Sequence, residues 1–250
     1  MSSDVSPKHA KLLALVSGGR CAFPSCRTQL WLEDGEGQAS GVLGEMAHIR
    51  GEKPTSARYD AAMTQAERNA FPNLIYLCPN HHTEIDGNRA EWPTARVQQM
   101  KHDHESWVQG TLGEAMAAVT FAELDIVIKA VAKGAPEEQP DFTVIDPSAK
   151  MQRNALTEAV GVLLRIGLAN ARVVAAYLEQ FSAVDDSIGE RLKAGFTQEY
   201  SRLAATGAVG DELFQGMYEF ATKGLKDFKQ QAAGLAVLAY LFDTCEVFEK

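Results

Sequence analysis

The stretch Asn73-Leu-Ile-Tyr-Leu-Cys78-Pro-Asn-His81-His82-Thr-Glu-Ile-Asp86 decides how the first half of the chain reads. Leu74, Ile75, Tyr76 and Leu77 form a short apolar run with β-favouring residues. Pro79 and Asn80 break that strand and offer a helix start. Cys78, His81, His82 and Asp86 then supply four possible metal ligands. On a helix His82 and Asp86 share a face, because positions i and i+4 are neighbours. Cys78 and His81 are left to face something else. The simplest division is two metals: a structural zinc held partly by Cys78 and His81, and a catalytic cation held by His82 and Asp86.

Upstream, Pro7–Val16 carries Leu12, Leu13, Leu15 and Val16 beside Lys8 and Lys11, which predicts a short amphipathic helix ended by Gly18-Gly19. Arg20-Cys21-Ala-Phe-Pro-Ser-Cys26-Arg27 follows. Two cysteines with a proline between them suit a turn that presents both thiolates to one ion; the alternative is a pair of buried cysteines. Joined to Cys78 and His81, they fit a closed tetrahedral Cys3His zinc site. Such a site ties a loop-rich small domain together and contributes directly to its folding free energy.

Thr28–Leu32 has strand character, and Glu33–Gly41 is a polar, Gly-rich turn. Val42–Ile49 reads as a strand whose end presents His48. Residues 52–72 are a polar excursion with one helical turn near Ala61–Asn69. Asn73 then opens the second strand of a hairpin. A loop that long between hairpin strands tends to be functional.

Strand with His, long loop, strand with Asn, helix with His: this order resembles the HNH (ββα-metal) nucleases. The resemblance runs over residues ~20–90 and is carried by Cys21/Cys26, Gly44-Glu-Met-Ala-His48-Ile and the Asn73–Asp86 stretch. It implies that His48 is the general base, Asn73 the middle residue that positions the loop or metal, and His82 a metal ligand. It implies Cys21, Cys26, Cys78 and His81 as structural zinc ligands. Many relatives place a metal-binding Asp before the first His; Ala47 stands there in this chain, so either the metal has fewer protein ligands or Asp86 or Glu45 compensates.

The chemistry points the same way. Phosphodiester hydrolysis needs an activated water and stabilised charge on the phosphate and leaving oxygen. A neutral imidazole with pKa near ~6.5 takes the water proton at physiological pH. One divalent cation, Mg²⁺ or another, neutralises the growing charge. Taken singly, His48 could be a solvent-exposed strand-end histidine and Asn73 a turn residue.

Trp92–Val108 predicts another amphipathic helix, with His104 packed beside Trp107 and His102 solvated. Leu112–Lys133 is a further helical stretch. Gly134–Pro140 is the clearest linker, followed by a short extended joint at Asp141–Asp146. From Ser148 apolar stripes recur at helical spacing, predicting five helices in a bundle, with Cys245 as a core residue. Leu235–Lys250 and Thr120–Val127 resemble the C-terminal domains of effectors in bacterial ABC-three-component defence systems. That resemblance implies docking onto a partner complex containing an ABC-type ATPase. A bundle that makes the nuclease a homo-oligomer is the competing possibility.

The net charge of −9 is unevenly divided: residues 1–110 hold 11 Lys/Arg against 13 Asp/Glu, residues 111–250 hold 13 against 20. No basic stripe of the kind that binds nucleic acid alone is present. DNA contact would need a partner or a local patch of Arg50, Lys53 and Arg58, with Arg68 and Arg89. All six histidines fall at or before His104, so the chemistry is expected in the first half. The longest apolar run, Ala232–Phe242, is about half the ~20 residues needed to span a bilayer. The N-terminus has no signal-peptide pattern, and cysteines in such a chain are more often metal ligands than disulfides. The expectation is a cytoplasmic protein without a membrane partner.

The expected fold class is α+β: a zinc-stapled ββα-metal domain at 1–110, a helix and linker at 111–147, and an all-α bundle at 148–250. The expected function is gated, metal-dependent cleavage of DNA in anti-phage or anti-plasmid defence. The alternatives are a zinc-binding adaptor whose nuclease site has decayed, and an RNA-directed or nicking enzyme on the same site.

Overall fold

The computed structural model describes residues 5–33, 39–133, 147–223, 225, 227–244 and 248. Most of the Glu33–Gly41 turn, the Gly134–Pro140 linker, the Asp141–Asp146 joint and Cys245 lie outside the described residues. The chain divides into two compact units, Met1–Gln109 and Gly110–Lys250. The first is a mixed α/β segment; among the described residues, helices alone build the second.

In the first unit, helix α1 (Pro7–Val16) starts at Ser6, whose hydroxyl accepts the His9 N–H, with Pro7 in the first turn. It stops where Gly18 and Gly19 take φ of 58° and 64°, and the Gly19 N–H returns to the Ala14 carbonyl at 2.9 Å. Strands β1 (Trp31–Glu33) and β2 (Ala39–Val42) form one antiparallel pair. Strands β3 (Glu45–His48) and β4 (Leu74–Leu77) form another, with Glu45 opposite Leu77 and His48 opposite Leu74.

The single strand expected over Val42–Ile49 is therefore divided at Leu43-Gly44. Both of those N–H groups go to the Leu30 carbonyl, at 2.8 and 3.1 Å, so the chain leaves one hairpin for the other there. A Cβ on Gly44 would lie 2.2 Å from the Tyr76 ring, so only glycine lets the backbone pass. Between β3 and β4 sits a four-residue helix, α2 (Gln65–Arg68), started by a Thr64/Glu67 capping box. A 3-10 turn at Phe71–Asn73 feeds β4. Helix α3 (Pro79–Gly87) follows, with Cys78 at its N-cap. Leu13, Leu30, Ile49, Leu74, Ile75, Leu77, Ile85 and Trp92 pack into one core beneath these elements.

Helix α4 (Thr94–Ala117) begins in the first unit and ends in the second. The sequence predicts one helix over Trp92–Val108 and a separate helical stretch over Leu112–Lys133; Gly110 and Gly113 fall near that division. Both glycines instead sit inside the helix with open space beside them, at about 1 kcal/mol each relative to alanine. The stop comes where a new start competes: Thr120 and Glu123 form the capping box of α5 (Phe121–Val131).

The second unit continues with α6 (Pro147–Arg153), α7 (Glu158–Leu168), α8 (Ala171–Ser182), α9 (Ile188–Ala205), α10 (Asp211–Ala221) and α11 (Phe228–Thr244). Among the described residues, six helices thus run from Pro147 onward where five were expected. The extra break falls at Ala155, whose φ is 51°. Helix α11 is the centre of the bundle: Ala232 through Ala239 are buried all round, against α7, α5, α10 and α8. Its continuous apolar run reflects that central position. Among the described residues no single helix is long and apolar enough to cross a membrane.

Candidate functional site

The ligand atoms of Cys21, Cys26, Cys78 and His81 all lie within 4.8 Å of one another. Among the described residues this is the one group of three or more Cys, His, Asp or Glu so gathered. Three local devices build it. The Cys21 N–H bonds the Thr28 carbonyl at 2.9 Å and the Cys26 N–H bonds the Phe23 carbonyl at 3.0 Å, closing a knuckle. The Ala22 N–H joins that knuckle to β4 through the Tyr76 carbonyl at 2.8 Å. Cys78 caps α3, so His81 falls in the helix's first turn, its Nδ1 3.0 Å from Cys78 Sγ and 3.7 Å from Cys21 Sγ. Tetrahedral zinc with Zn–S near 2.3 Å and Zn–N near 2.0 Å puts S and N about 3.5 Å apart, and the two observed spacings bracket that value.

The surroundings suit a soft divalent ion. The Cys78 N–H donates to Cys21 Sγ at 3.3 Å. Burial pushes the fully enclosed Cys21 thiol up to about 12, against the pull of the Cys78 and Phe23 N–H groups. A bound cation would supply the charge that lets that sulfur ionise. Cys26 is affected by burial too, but hydrogen bonds from Thr28 outweigh it and lower the thiol. Phe23 stacks on the His81 ring with centroids 3.9 Å apart and planes at 14°. Trp92 packs on Phe23 at 5.3 Å, and the Arg96 guanidinium covers Trp92 at 4.0 Å. This stack fixes the ring plane of His81; read from the sequence, Trp92 falls on a helical stripe, and Phe23 and Arg96 have no role at the site.

His48 ends β3, half-buried, with Nε2 3.0 Å from Asn69 Oδ1. Asn73 is buried and makes three hydrogen bonds. Its Nδ2 donates to the carbonyls of Arg50 at 2.8 Å and Arg68 at 2.9 Å; its Oδ1 accepts the Arg50 N–H at 2.9 Å. Both ends of the long loop are thereby cinched beside His48.

His82 sits between two carboxylates. Glu45 Oε2 is 2.8 Å from Nδ1, and Asp86 Oδ2 is 3.6 Å from Nε2. The Asp86 carboxylate, helped by Glu45 and opposed by burial, raises the His82 pKa. Asp86 itself is lowered: burial pushes it up, but His82 and Arg58 outweigh that. The expected sharing of a cation by His82 and Asp86 thus meets a competitor. Asp86 Oδ1 is the ion-pair partner of Arg58 Nη2 at 2.5 Å. The nearer carboxylate at His82 is Glu45, from β3.

Arg58 corrects a second expectation. As a DNA contact it should be exposed, yet its side chain is 4 % exposed. Its Nε donates to the Ile49 carbonyl at 2.7 Å and its Nη1 to the Ile85 carbonyl at 2.7 Å. A guanidinium spent on carbonyls and on Asp86 has no donor left for a phosphate. Arg50 is half-buried, with Nε 3.6 Å from Asp60, while Lys53 and Arg89 are exposed. Arg68 is buried against the Tyr59 ring at 4.6 Å.

His104 is buried and stacks on Trp107 at 5.6 Å. Its Nδ1 meets Arg27 Nη1, and its Nε2 lies 3.1 Å from the Ser17 carbonyl. A guanidinium only donates and a carbonyl only accepts, so these two contacts suit an Nε2–H ring. It anchors α4 to the residue that follows Cys26. No protein-family model matches the chain, and no curated protein matches it.

Proposed function

We propose that the first unit is a metal-dependent endonuclease of the HNH kind, hydrolysing DNA phosphodiester bonds with His48 as general base. One observation carries this reading: a histidine at the end of β3 and a histidine on α3 are held on a hairpin and helix that a Cys3His cluster, Asn73 and Arg58 lock together. Fixed separation of a base and a charged group is where positioning lowers the barrier. With Nε2 on Asn69, the other ring nitrogen of His48 is left to accept a water proton. Zinc at the cysteines is structural in this reading, since four protein ligands close its shell. Glu45 and His82 are the residues that would hold the catalytic cation, which would neutralise charge on the phosphate and leaving oxygen. Glu45 would thus stand in for the carboxylate missing at Ala47.

The acidic helical unit supplies no obvious DNA surface. It is proposed as the docking element for a partner complex, such as one containing an ABC-type ATPase, or for a second copy, and so as the gate on cleavage. A second reading is a zinc-binding adaptor with a decayed nuclease site. Ala47 and the commitment of Asp86 to Arg58 favour it.

The test is plasmid cleavage by wild-type protein and His48→Ala with Mg²⁺ or Mn²⁺, zinc content being measured on the same samples. Cleavage by the wild type, with a rate roughly 10²-fold or more lower in the variant and equal zinc in both, supports the nuclease. Equal zinc with no cleavage by either, also after partner addition, favours the adaptor.

A further inference from the structure

We infer that Asn69 is the positioning residue of His48, holding the ring as the Nε2–H tautomer so that Nδ1 is the basic nitrogen. The inference rests on the nuclease reading.

Asn69 Oδ1 is 3.0 Å from His48 Nε2. An amide oxygen only accepts, so the proton at that contact belongs to the imidazole. The asparagine is well placed to hold it. It is 8 % exposed. Its N–H ends α2 on the Gln65 carbonyl at 3.1 Å, and its carbonyl meets His9 Nδ1 at 3.0 Å. The residue before it is pinned too: the Arg68 carbonyl accepts from Asn73 Nδ2 at 2.9 Å, and Arg68 Nη2 donates to the Asp60 carbonyl at 2.8 Å. Helix α2 is only four residues long, and its Thr64/Glu67 capping box fixes its start. The loop between β3 and β4 thus has a rigid turn whose last side chain reaches back to the strand-end histidine.

The consequence is chemical. When Nδ1 takes a proton from water, the ring becomes imidazolium and the Nε2–H···Oδ1 bond becomes charge-assisted, hence stronger in the transition state than in the ground state. An amide turned the other way would donate to Nε2 and place the ring proton on Nδ1, where it blocks the base. Asn73 supports this arrangement from two sides: through Arg68 to Asn69, and through the Arg50 backbone and the Ile49 N–H to the strand that ends at His48.

The experiment combines steady-state DNA cleavage with nitrogen-detected NMR of the histidine rings, on wild type, His48→Ala, Asn69→Leu and Asn69→Asp in the full chain. Asp keeps an acceptor at the same place; Leu removes it at similar volume. Expected are a His48 signal of the Nε2–H form in wild type and Asn69→Asp, a kcat about 10- to 100-fold lower in Asn69→Leu with KM within about twofold, and recovery of most of that loss in Asn69→Asp. A wild-type His48 protonated on Nδ1 overturns the inference, as does equal impairment of the Leu and Asp variants. Cleavage abolished in His48→Ala but unchanged in Asn69→Leu overturns this inference alone. Wild type cleaving no better than His48→Ala, also after partner addition, overturns it together with the nuclease reading.

Discussion

Arg58 Nη2 stands 2.5 Å from Asp86 Oδ1, joining the loop after β3 to the end of α3 across 28 residues of sequence. The same side chain holds the carbonyls of Ile49 and Ile85. Removing it strands those acceptors and leaves a void in the first unit. We expect Arg58→Met to destabilise that unit by roughly 2–4 kcal/mol. Arg58→Lys should recover little, because a point ammonium cannot reproduce the planar fork. All three tryptophans, Trp31, Trp92 and Trp107, lie in the first unit. Urea unfolding followed by tryptophan fluorescence therefore reads it selectively.

Metal removal should separate the two units. Cys78→Ser, or a strong chelator acting on the wild type, should release one zinc and abolish the cooperative tryptophan transition, since the metal's binding energy is folding energy in a unit this small. The helical unit has no share in the cluster, so most of the helical circular dichroism should persist. Retention of the tryptophan transition in metal-free protein would remove zinc from the account of this fold.

Asn73 makes its three hydrogen bonds while 5 % exposed. Asn73→Ala should cost roughly 2–4 kcal/mol in the same fluorescence-detected unfolding. Asn73→Asp should not restore it, because two of the three bonds need the amide as donor. A variant as stable as wild type would show that the loop is held by other means.

The helical unit offers a pH test. The Thr120 hydroxyl, ahead of the opposing effect of burial, and then the Thr120 N–H and Lys229 hold Glu123 down to about 2, from an ordinary 4.5. The Lys229 ammonium is 3.0 Å away. A carboxylate depressed in the folded state contributes stability above its unfolded pKa and loses it as pH falls through the folded one. Thermal unfolding of wild type and Glu123→Gln should therefore differ most above pH 4.5 and converge toward pH 2. A pH-independent difference would mean that the capping geometry, rather than the charge, is what matters.

Gly167 lets α7 approach α11. A Cβ there would meet Ala239 Cβ at 2.6 Å and the Leu235 carbonyl at 2.7 Å, a backbone atom that cannot swing away. Gly167→Val should destabilise the helical unit by about 1–3 kcal/mol or more, read by thermal circular dichroism, without altering the tryptophan transition.

How far the chain was legible varies with the range of the interaction. Pro7–Val16, Leu74–Leu77 and the helix from Pro79 carry their signals within a turn or two: a proline at the helix start, a short apolar strand, a glycine pair at the stop. The Thr64/Glu67 and Thr120/Glu123 capping boxes were equally local and would have located α2 and the start of α5. The Cys3His set was legible as well, because ligand chemistry narrows four scattered residues to one ion. Leu43-Gly44 was not, since that break depends on Leu30 and the Tyr76 ring.

By itself, then, the sequence determined the local elements, the soft ligand set and the confinement of every histidine to the first half. Periodicity, capping and donor chemistry are properties of short segments. The tertiary structure alone decided the charges. The i,i+4 spacing brought Asp86 beside His82, but Arg58, distant in sequence and buried, took one oxygen of that carboxylate. Glu45 reached His82 from another element, and Asn69 reached His48 across the loop. Those partnerships depend on which side chains the fold removes from water, and burial is set by the whole packed unit.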